Sequence, residues 1–376
     1  MNPFILKPQN SEKNLLLLEW RKLWPRPYDK HTVDPYTRTR VILMNGTEFE
    51  NVSFSHQMNR QHDNNELRRQ LALLRRSEQQ QQKLISHLKP PEETLLEHTI
   101  GYEQLAVDLT AQLAKRVSDP ALKNALDFAL LEDFDHLYRY ADLLEMESGV
   151  KAENLVGRYT EIMPGRPTIA HHRHPFDSVR HAMKNPAPPA FDMLAANIIT
   201  AAEQQTMNYY MNVAAAYPDV RGKKLYQEIG MIEEQHVTHY GSLLNPCLTW
   251  LENLLVHQYT ECYLYYSCHA LETDASIRDL WGFMLEQEIV HLHIACELLK
   301  KYEGKEWQQV IPGGEFPAPL RLESNIPYVR DVLAHTVQNT ALRENYVNVC
   351  TLPENAISLS IRILSAQRPR TCSVIG

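Results

Sequence analysis

The strongest pattern in the chain is an acidic residue followed three positions later by histidine, in three copies within apolar helical text. The copies are Asp133 with His136, Glu233 with His236, and Glu288 with His291. Residues three apart lie about one turn apart on one face of a helix, so the carboxylate and the imidazole converge on one point. Each copy ends on two leucines, as in LLEDFDHLYRYADLL and LEQEIVHLHIACELL. The pattern predicts one helix used three times, each copy able to chelate a cation.

Helical patterns fill most of the chain after residue 90. They cover roughly 92–117, 119–147, 190–216, 219–243, 247–270 and 275–302. Short connections with helix-start residues, such as Asp119-Pro120, join them into three pairs of antiparallel neighbours. Between the first and second pair lies a proline-rich stretch of more than forty residues, 148–189. It predicts a crossover connection that runs the length of a bundle.

The first ninety residues differ from the rest of the chain. Two strand-like runs flank Asn45-Gly46 in the segment TRVILMNGTEFENVSF, a signal for a type I′ β-hairpin. A basic, glutamine-rich helix follows and ends at Pro90-Pro91. We therefore expect an N-terminal extension with a β-hairpin (1–57), a surface helix (58–89), a helical bundle of three pairs (90–303) and a C-terminal segment that wraps it (304–376).

Charge and hydropathy restrict the partners of the chain. Its 38 basic and 46 acidic side chains give a formal net charge of −8, which disfavours a nucleic-acid surface. No apolar run approaches the roughly 20 residues that cross a bilayer, and the start MNPFILKPQN lacks the order of a signal peptide. We expect a cytoplasmic protein with no nucleic-acid or membrane partner. A leucine stripe over 67–88 is consistent with a homodimer.

A second glutamate precedes two of the three motifs at equal spacing. Glu103 stands thirty residues before Asp133, and Glu203 stands thirty residues before Glu233. Both glutamates lie on otherwise apolar helix faces, and a carboxylate that points into a core needs a partner. Four carboxylates in a low dielectric would have to protonate unless divalent cations neutralise them. The electrostatics therefore predict a bound metal.

This plan resembles that of the ferritin-like superfamily of non-heme di-metal carboxylate proteins, over about residues 92–243. In that superfamily two helix pairs joined by a crossover each give one glutamate and one acid-x-x-His motif. The resemblance implies an all-α fold: a ferritin-like four-helix bundle with a long crossover, extended here by a helix pair and the N-terminal β-hairpin and helix. It implies these ligands for two metal ions: Glu103, Asp133, His136, Glu203, Glu233 and His236. The chain departs from the family at Asp133, where the superfamily generally has glutamate.

The ligand set also indicates the metal and the chemistry. Carboxylate and imidazole ligands suit two iron ions, with manganese or a mixed pair as alternatives, and the motifs lack the cysteines of structural zinc sites. The resemblance implies an oxidoreductase that activates dioxygen or peroxide for a small-molecule substrate, with no catalytic residue beyond the metal ligands. Two alternatives stay open. One is a metal-storage (ferroxidase) or metal-sensing protein, and the other is a non-enzymatic interaction protein in which the motif is a structural repeat with solvent-facing acids.

The third motif leaves the choice of ligands open. Glu261 precedes Glu288 by 27 residues and lies on one helix face with Leu254 and Leu264. Glu261, Glu288 and His291 could therefore replace the half of the site that contains Glu103, Asp133 and His136. The long crossover favours the first assignment, because only a short turn joins the second and third pairs.

Residues around the motifs offer supporting roles. The acids Glu132, Asp135 and Glu234 could orient the imidazoles. Four crossover histidines could bind metal as a tract, although a polar loop is the simpler interpretation. They are His171, His172, His174 and His181.

Overall fold

The computed structural model describes residues 1–7, 16–171, 173–183 and 188–336. These residues form ten α-helices and three short 3-10 helices, with no β-strand among them, so the predicted all-α class is confirmed. The α-helices are α1 (Pro35–Gln61), α2 (Asn65–Ser86), α3 (Leu95–Ala114), α4 (Pro120–Ser148), α5 (Ala152–Val156), α6 (Ala190–Ala216), α7 (Val220–Leu243), α8 (Trp250–Leu271), α9 (Ala275–Glu303) and α10 (Ile326–Thr336). In the described part of the chain, no helix combines the length and the apolar character that crossing a bilayer requires.

Capping residues set the ends of the long helices. The Asp119 side chain accepts hydrogen bonds from the first backbone N–H groups of α4, and Pro120 occupies the first turn, where its missing N–H costs nothing. Thr94 and Glu97 form a reciprocal capping box at the start of α3. Gly149 ends α4 with a φ of 69°, a left-handed conformation that glycine adopts without steric cost.

The β-hairpin predicted over 39–54 is wrong, because α1 runs through the whole segment. Asn45-Gly46 lies in the middle of this helix. The four residues before it, Val41 to Met44, are consecutive, apolar and buried, with relative exposures of 3% or less. A continuous apolar run of this length is compatible with either a buried strand or a buried helix. Packing on several sides of α1 outweighs the local turn signal of Asn-Gly.

The described chain forms two compact units, and this division differs from the predicted domains. Unit 1 consists of Met1–Glu92 and Leu248–Arg321, and the described part of unit 2 consists of Glu93–Cys247 and residues 322–336. The third helix pair therefore belongs with the N-terminal helices and not with the other two pairs. Within unit 2, α10 packs against α4 and α3. Residues 337–376 of the predicted wrapping segment lie outside the described residues.

Unit 2 contains the first two predicted helix pairs. The short connections make α3 antiparallel to α4, and α6 antiparallel to α7. Across the pairs, α3 packs against α6 and α4 packs against α7. The crossover between the pairs contains α5, which lies against α3. Unit 2 is thus a four-helix arrangement whose members each have two long-helix neighbours.

Unit 1 repeats this arrangement with other helices. Here α1 pairs with α2 and α8 with α9, while α1 packs against α8 and α2 against α9. The predicted surface helix is α2, and its leucines at 67, 71 and 74 are at most 2% exposed. The leucine stripe is therefore part of the core of unit 1 and gives no support to a homodimer.

Candidate metal centre

All six predicted ligands lie in unit 2, and all are at most 2% exposed. Helices α3 and α6 each contribute one glutamate, and helices α4 and α7 each contribute one acid-x-x-His pair. The short connections and the cross-pair packing bring the four helices together at the level of these side chains. The ligands are Glu103, Asp133, His136, Glu203, Glu233 and His236.

The six side chains form two overlapping groups around Glu233. Ligand atoms of Asp133, Glu203, Glu233 and His236 all lie within 4.8 Å of one another. Those of Glu103, His136 and Glu233 do so as well. Since Glu233 belongs to both groups, its two oxygens can serve two neighbouring cation positions.

His236 shows how tightly the larger group converges. Its Nδ1 atom lies 3.1 Å from Oε2 of Glu233, 3.6 Å from Oε1 of Glu203 and 3.7 Å from Oδ1 of Asp133. In the smaller group, His136 Nδ1 lies 3.0 Å from Glu233 Oε1. His236 therefore faces carboxylate oxygens from its own helix and from two others, whereas His136 faces a carboxylate oxygen from α7.

The donor atoms that face the cluster have no hydrogen-bond partner. They include Oδ1 of Asp133, Oε2 of Glu103, Oε1 of Glu203, both oxygens of Glu233, and Nδ1 of both histidines. Buried polar atoms are normally paired, because leaving them unpaired costs free energy. Unpaired carboxylate and imidazole donors at these separations suit divalent cations, so the residues present fit a di-metal centre.

In two of these ligands, a hydrogen bond holds the carboxylate oxygen that points away from the cluster. The Tyr210 hydroxyl donates to Oε1 of Glu103 at 2.5 Å, and the Thr110 hydroxyl donates to Oδ2 of Asp133 at 3.2 Å. In both carboxylates the other oxygen is the unpaired one. Tyr210 and Thr110 thus fix each carboxylate with one oxygen left for the cluster.

From the sequence, Tyr210 is one of several helix tyrosines that could hydrogen-bond a ligand, whereas Thr110 has no predicted role although a signal is present. Thr110 follows Glu103 by seven positions, and Tyr210 follows Glu203 by seven positions. Seven residues are close to two helical turns, so each shares a face with its glutamate. The hydroxyl groups on that face therefore include Thr110 as well as Tyr210.

Glu132 orients His236 from outside the cluster. His236 Nε2 lies 2.8 Å from Oε2 of Glu132, and Thr168 donates to the other oxygen of Glu132 at 2.7 Å. Because an ionised carboxylate only accepts, the Nε2 atom carries a proton, and Nδ1 is the atom that can bind a cation once it has released its own proton. Of the three acids proposed for this role, Glu132 takes it, whereas Glu234 accepts a hydrogen bond from Thr238.

Burial and mutual repulsion shift the protonation of the carboxylates. Burial, together with the charge of Glu233, raises the pKa of Glu103 and Glu203 well above the usual range. Burial also raises the pKa of Asp133 to about 7, although His236 opposes the shift. For Glu233, burial acts in the same direction, but contacts with His136 and His236 outweigh it and hold the pKa well below its usual range.

The site therefore carries more negative charge than its imidazoles balance. Burial would lower the pKa of His236, but its contacts with the carboxylates of Glu132 and Glu203 raise it well above its usual value. The metal-free cluster compensates by holding protons on carboxylates. Cations would displace those protons, which makes binding dependent on pH.

The remaining candidates lie elsewhere or have other partners. Glu261, Glu288 and His291 belong to unit 1, so they do not replace the Glu103 half of the cluster. In the crossover, His171 lies 2.7 Å from a Glu228 oxygen and His174 caps a 3-10 helix. His172 lies outside the described residues. No crossover histidine among the described residues joins a candidate metal group.

Comparison of the chain with protein-family models, with curated proteins and with solved structures finds no match in any of the three. The functional assignment of unit 2 therefore depends on the chemistry and geometry of the cluster itself.

Proposed function

We propose that unit 2 is a ferritin-like carboxylate bundle that holds two divalent metal ions and uses them for redox chemistry with dioxygen or peroxide. The observation that carries this proposal is the pair of buried ligand groups that share Glu233. Iron is the metal that the mixed carboxylate and imidazole donors suit best.

The donor count supports a reactive centre. Asp133, Glu203, Glu233 and His236 would hold one ion, and Glu103, His136 and Glu233 would hold the other. A position with three protein donors leaves room for a small molecule, which is typical of catalytic rather than structural metal sites. Bound iron would supply the one-electron chemistry that amino-acid side chains do not offer.

The protein's own contribution is to orient the donors and exclude water. Glu132 fixes the His236 ring with Nδ1 toward the cluster, and Thr110 and Tyr210 each hold one carboxylate by its outer oxygen. The hydroxyl oxygen of Tyr210 lies 2.5 Å from Oε1 of Glu103, and the proton that it donates neutralises part of the carboxylate charge. Exposures of at most 2% for all six ligands keep bulk water from the donors.

The burial of the acids disfavours the alternative of a non-enzymatic interaction protein. In that alternative the acids of the motif face solvent, no metal is tightly bound, and the chain still folds when His136 and His236 are lost. Glu103, Asp133 and Glu233 are instead 0% exposed. Storage and sensing use the same donors and differ from the proposal only in turnover.

Metal content and oxygen consumption test the proposal together. The chain is loaded with ferrous ion without air, desalted and analysed for iron, and oxygen uptake is then followed with a reductant present. We expect about two ions per chain and uptake above that of free iron. Less than about one ion per chain in folded protein would contradict the proposal.

The variant Glu233→Gln sharpens this test, because it removes the charge shared by both groups. It is expected to lose both ions, whereas Glu288→Gln, the same change in the third motif, is expected to keep them. Circular dichroism of both variants checks that their helices are intact.

A further inference from the structure

Unit 1 contains a second buried carboxylate cluster at the same level of its four long helices. Its acids are Glu48 on α1, Glu78 on α2, Glu261 on α8 and Glu288 on α9, each at most 1% exposed. His291 follows Glu288 by three positions and is fully buried. Glu48 stands thirty residues before Glu78, the spacing that separates Glu103 from Asp133.

The packing of the helices defines which positions correspond. In both units the first helices of the two pairs pack together, and so do the second helices. Helices α1, α2, α8 and α9 of unit 1 therefore correspond to α3, α4, α6 and α7 of unit 2. The acids of unit 1 then match, in the order given above, Glu103, Asp133, Glu203 and Glu233.

Two details support this correspondence. Tyr265 donates a hydrogen bond to Glu48, as Tyr210 does to Glu103. His291 Nε2 lies 2.9 Å from Ser77 Oγ, and Ser77 directly precedes Glu78, just as Glu132 directly precedes Asp133. Both units thus hold one tyrosine on the first carboxylate and one hydrogen-bonding side chain behind the last histidine.

At three positions of the cluster, unit 1 has amides where unit 2 has other residues. Gln81 stands where unit 2 has His136, Asn51 stands where unit 2 has Ala106, and Gln258 stands where unit 2 has Thr200. These assignments follow from the offset of three residues that separates each position from its acid. Relative to unit 2, each amide replaces either the ligand His136 or an uncharged residue, and each amide carries two N–H donors.

The amide nitrogens are directed at the carboxylates. Asn51 Nδ2 donates to Glu78 Oε1 at 3.0 Å and to Glu261 Oε2 at 2.5 Å. Gln258 Nε2 donates to the same two oxygens, at 3.0 Å each. The second oxygens of Glu78 and Glu261 are unpaired, as is one oxygen each of Asp133 and Glu203 in unit 2, so the difference between the units lies in the amides that hold the first oxygens.

The third amide, that of Gln81, occupies the position that corresponds to His136 in unit 2. Gln81 Nε2 donates to Glu288 Oε1 at 2.6 Å, so a hydrogen-bond donor stands where His136 would offer a lone pair. Among the described residues, unit 1 has no set of three His, Cys, Asp or Glu ligand atoms that all lie within 4.8 Å of one another. The cluster is therefore connected through amides where unit 2 leaves converging donors.

We propose that unit 1 is a metal-free counterpart of unit 2, in which Asn51, Gln81 and Gln258 take the places of the cations. The comparison with unit 2 rests on the proposed di-metal function, whereas the amide network does not. Amides carry no net charge, so protons must balance the excess carboxylates. In keeping with this, burial raises the pKa of Glu78 to about 7 and those of Glu48 and Glu261 well above the usual range.

A matched pair of variants tests which unit holds metal. Glu203→Gln and Glu261→Gln make the same change at corresponding positions. After ferrous loading, Glu203→Gln is expected to lose at least about half of the bound iron, while Glu261→Gln is expected to keep the wild-type content. Loss of iron in folded Glu261→Gln, or about four ions per wild-type chain, would overturn the proposal.

Rebuilding the site tests the role of the amides directly. The triple variant Asn51→Ala, Gln81→His, Gln258→Thr gives unit 1 the side chains of unit 2 at the three amide positions, and it is made in the Glu233→Gln background. We expect it to gain cobalt(II) or ferrous ion, up to about two per chain, relative to that background. Unchanged metal content in the folded triple variant would refute the proposal.

The two experiments also separate the two proposals. If wild-type chain holds no iron, the proposed function of unit 2 fails, and a gain of metal in the triple variant still supports the inference about unit 1. If the triple variant does not fold, the Glu203 and Glu261 pair decides alone.

Discussion

Glu132 and His236 form a buried pair in which the carboxylate Oε2 lies 2.8 Å from the imidazole Nε2, and each side chain is 1% exposed. Burial alone would raise the pKa of Glu132, but the hydrogen bond from His236 and the charge of Arg173 lower it to about 2. Glu132 is therefore ionised wherever the protein is folded at ordinary pH, and it keeps the His236 ring oriented toward the cluster.

The substitution Glu132→Gln keeps the shape of this pair but removes its charge. The His236 ring would become less basic and less firmly oriented, and loss of such an outer partner typically weakens metal binding about 10-fold to 100-fold. Competition between the protein and a chelator for ferrous ion or zinc measures the change. Equal affinities for the variant and the wild type would contradict the assigned role.

Glu234→Gln is the matched control for this experiment. Glu234 is the residue after Glu233 on α7, and its oxygen accepts a hydrogen bond from Thr238 at 2.8 Å instead of from a cluster histidine. Its replacement is expected to leave the affinity for metal unchanged.

Tyr210→Phe removes the hydroxyl that donates to Glu103. A hydrogen bond to a charged group contributes about 1.5–3 kcal/mol, which corresponds to roughly 10-fold to 100-fold in affinity. The effect should fall on the smaller ligand group, so one ion per chain is lost before the other as metal becomes limiting. Titration with metal, followed by elemental analysis at each step, distinguishes one weakened position from two.

Tyr209→Phe provides the comparison for Tyr210→Phe. The Tyr209 hydroxyl donates to the backbone oxygen of Leu95 at 3.2 Å, and its ring stacks on Tyr102 with centroids 4.5 Å apart. Because it contacts no cluster ligand, its loss should leave both ions in place. Equal loss of metal in the two variants would show that packing, not the hydroxyl, is responsible.

The candidate site could be read from the sequence because its information is periodic. Asp133 and His136 are three residues apart, which depends only on the helix repeat. Glu103 precedes Asp133 by thirty residues, which depends only on the length of a helix pair. Both spacings can be recognised without knowledge of the tertiary structure. The residues that orient the ligands, such as Thr168 in the crossover, come from irregular segments whose positions no periodicity specifies.

The second cluster was missed for two physical reasons. Gln81 replaces the histidine of the motif, so the pair Glu78 and Gln81 does not stand out as a chelate. The Asn45-Gly46 dipeptide also gave a strong local turn signal, which hid the helix that carries Glu48. Only the burial of α1 among its neighbours overrides that signal, and a single sequence does not encode burial directly. The thirty-residue spacing from Glu48 to Glu78 was the available clue.

The metal-free chain should lose stability as pH rises. Asp133 has a usual pKa of 3.8 and a folded value of about 7, so between these values the folded state holds a proton that the unfolded state has released. Stability then falls with increasing pH across this window. Glu103 and Glu203, whose folded pKa values are also raised, extend the fall to higher pH. Glu132 does not oppose this fall in stability, because its own contribution to stability is lost only in acid, toward about pH 2.

Thermal unfolding between about pH 5 and pH 8, in chelator and in excess metal, measures this behaviour. The metal-loaded chain should show a weaker fall or a rise, because fewer protons compete for the donors as pH increases. A metal-free chain that is more stable at the alkaline end of the range would contradict the charge assignment of the cluster.

The amide network of unit 1 makes a separate prediction for Glu78→Gln. The usual pKa of Glu78 is 4.5 and burial raises the folded value to about 7, with His291 opposing the shift and Glu288 adding to it. Glu48 and Glu261 face the same cluster. Nearby, Nδ1 of His257 lies 3.0 Å from Oε2 of Glu50. Above about pH 4.5 the folded state must hold a proton or bear an uncompensated charge, and glutamine avoids both.

The stability of Glu78→Gln relative to the wild type should therefore increase with pH between about pH 5 and pH 8. Unfolding of the metal-loaded chain followed at each pH reports the difference, since the carboxylates of unit 2 are then neutralised in both proteins. Glu66→Gln, on the same helix but with a half-exposed side chain 3.6 Å from Arg69, should show no such trend. Parallel pH profiles for Glu78→Gln and the wild type would mean that unit 1 does not keep a proton on this carboxylate in place of a cation.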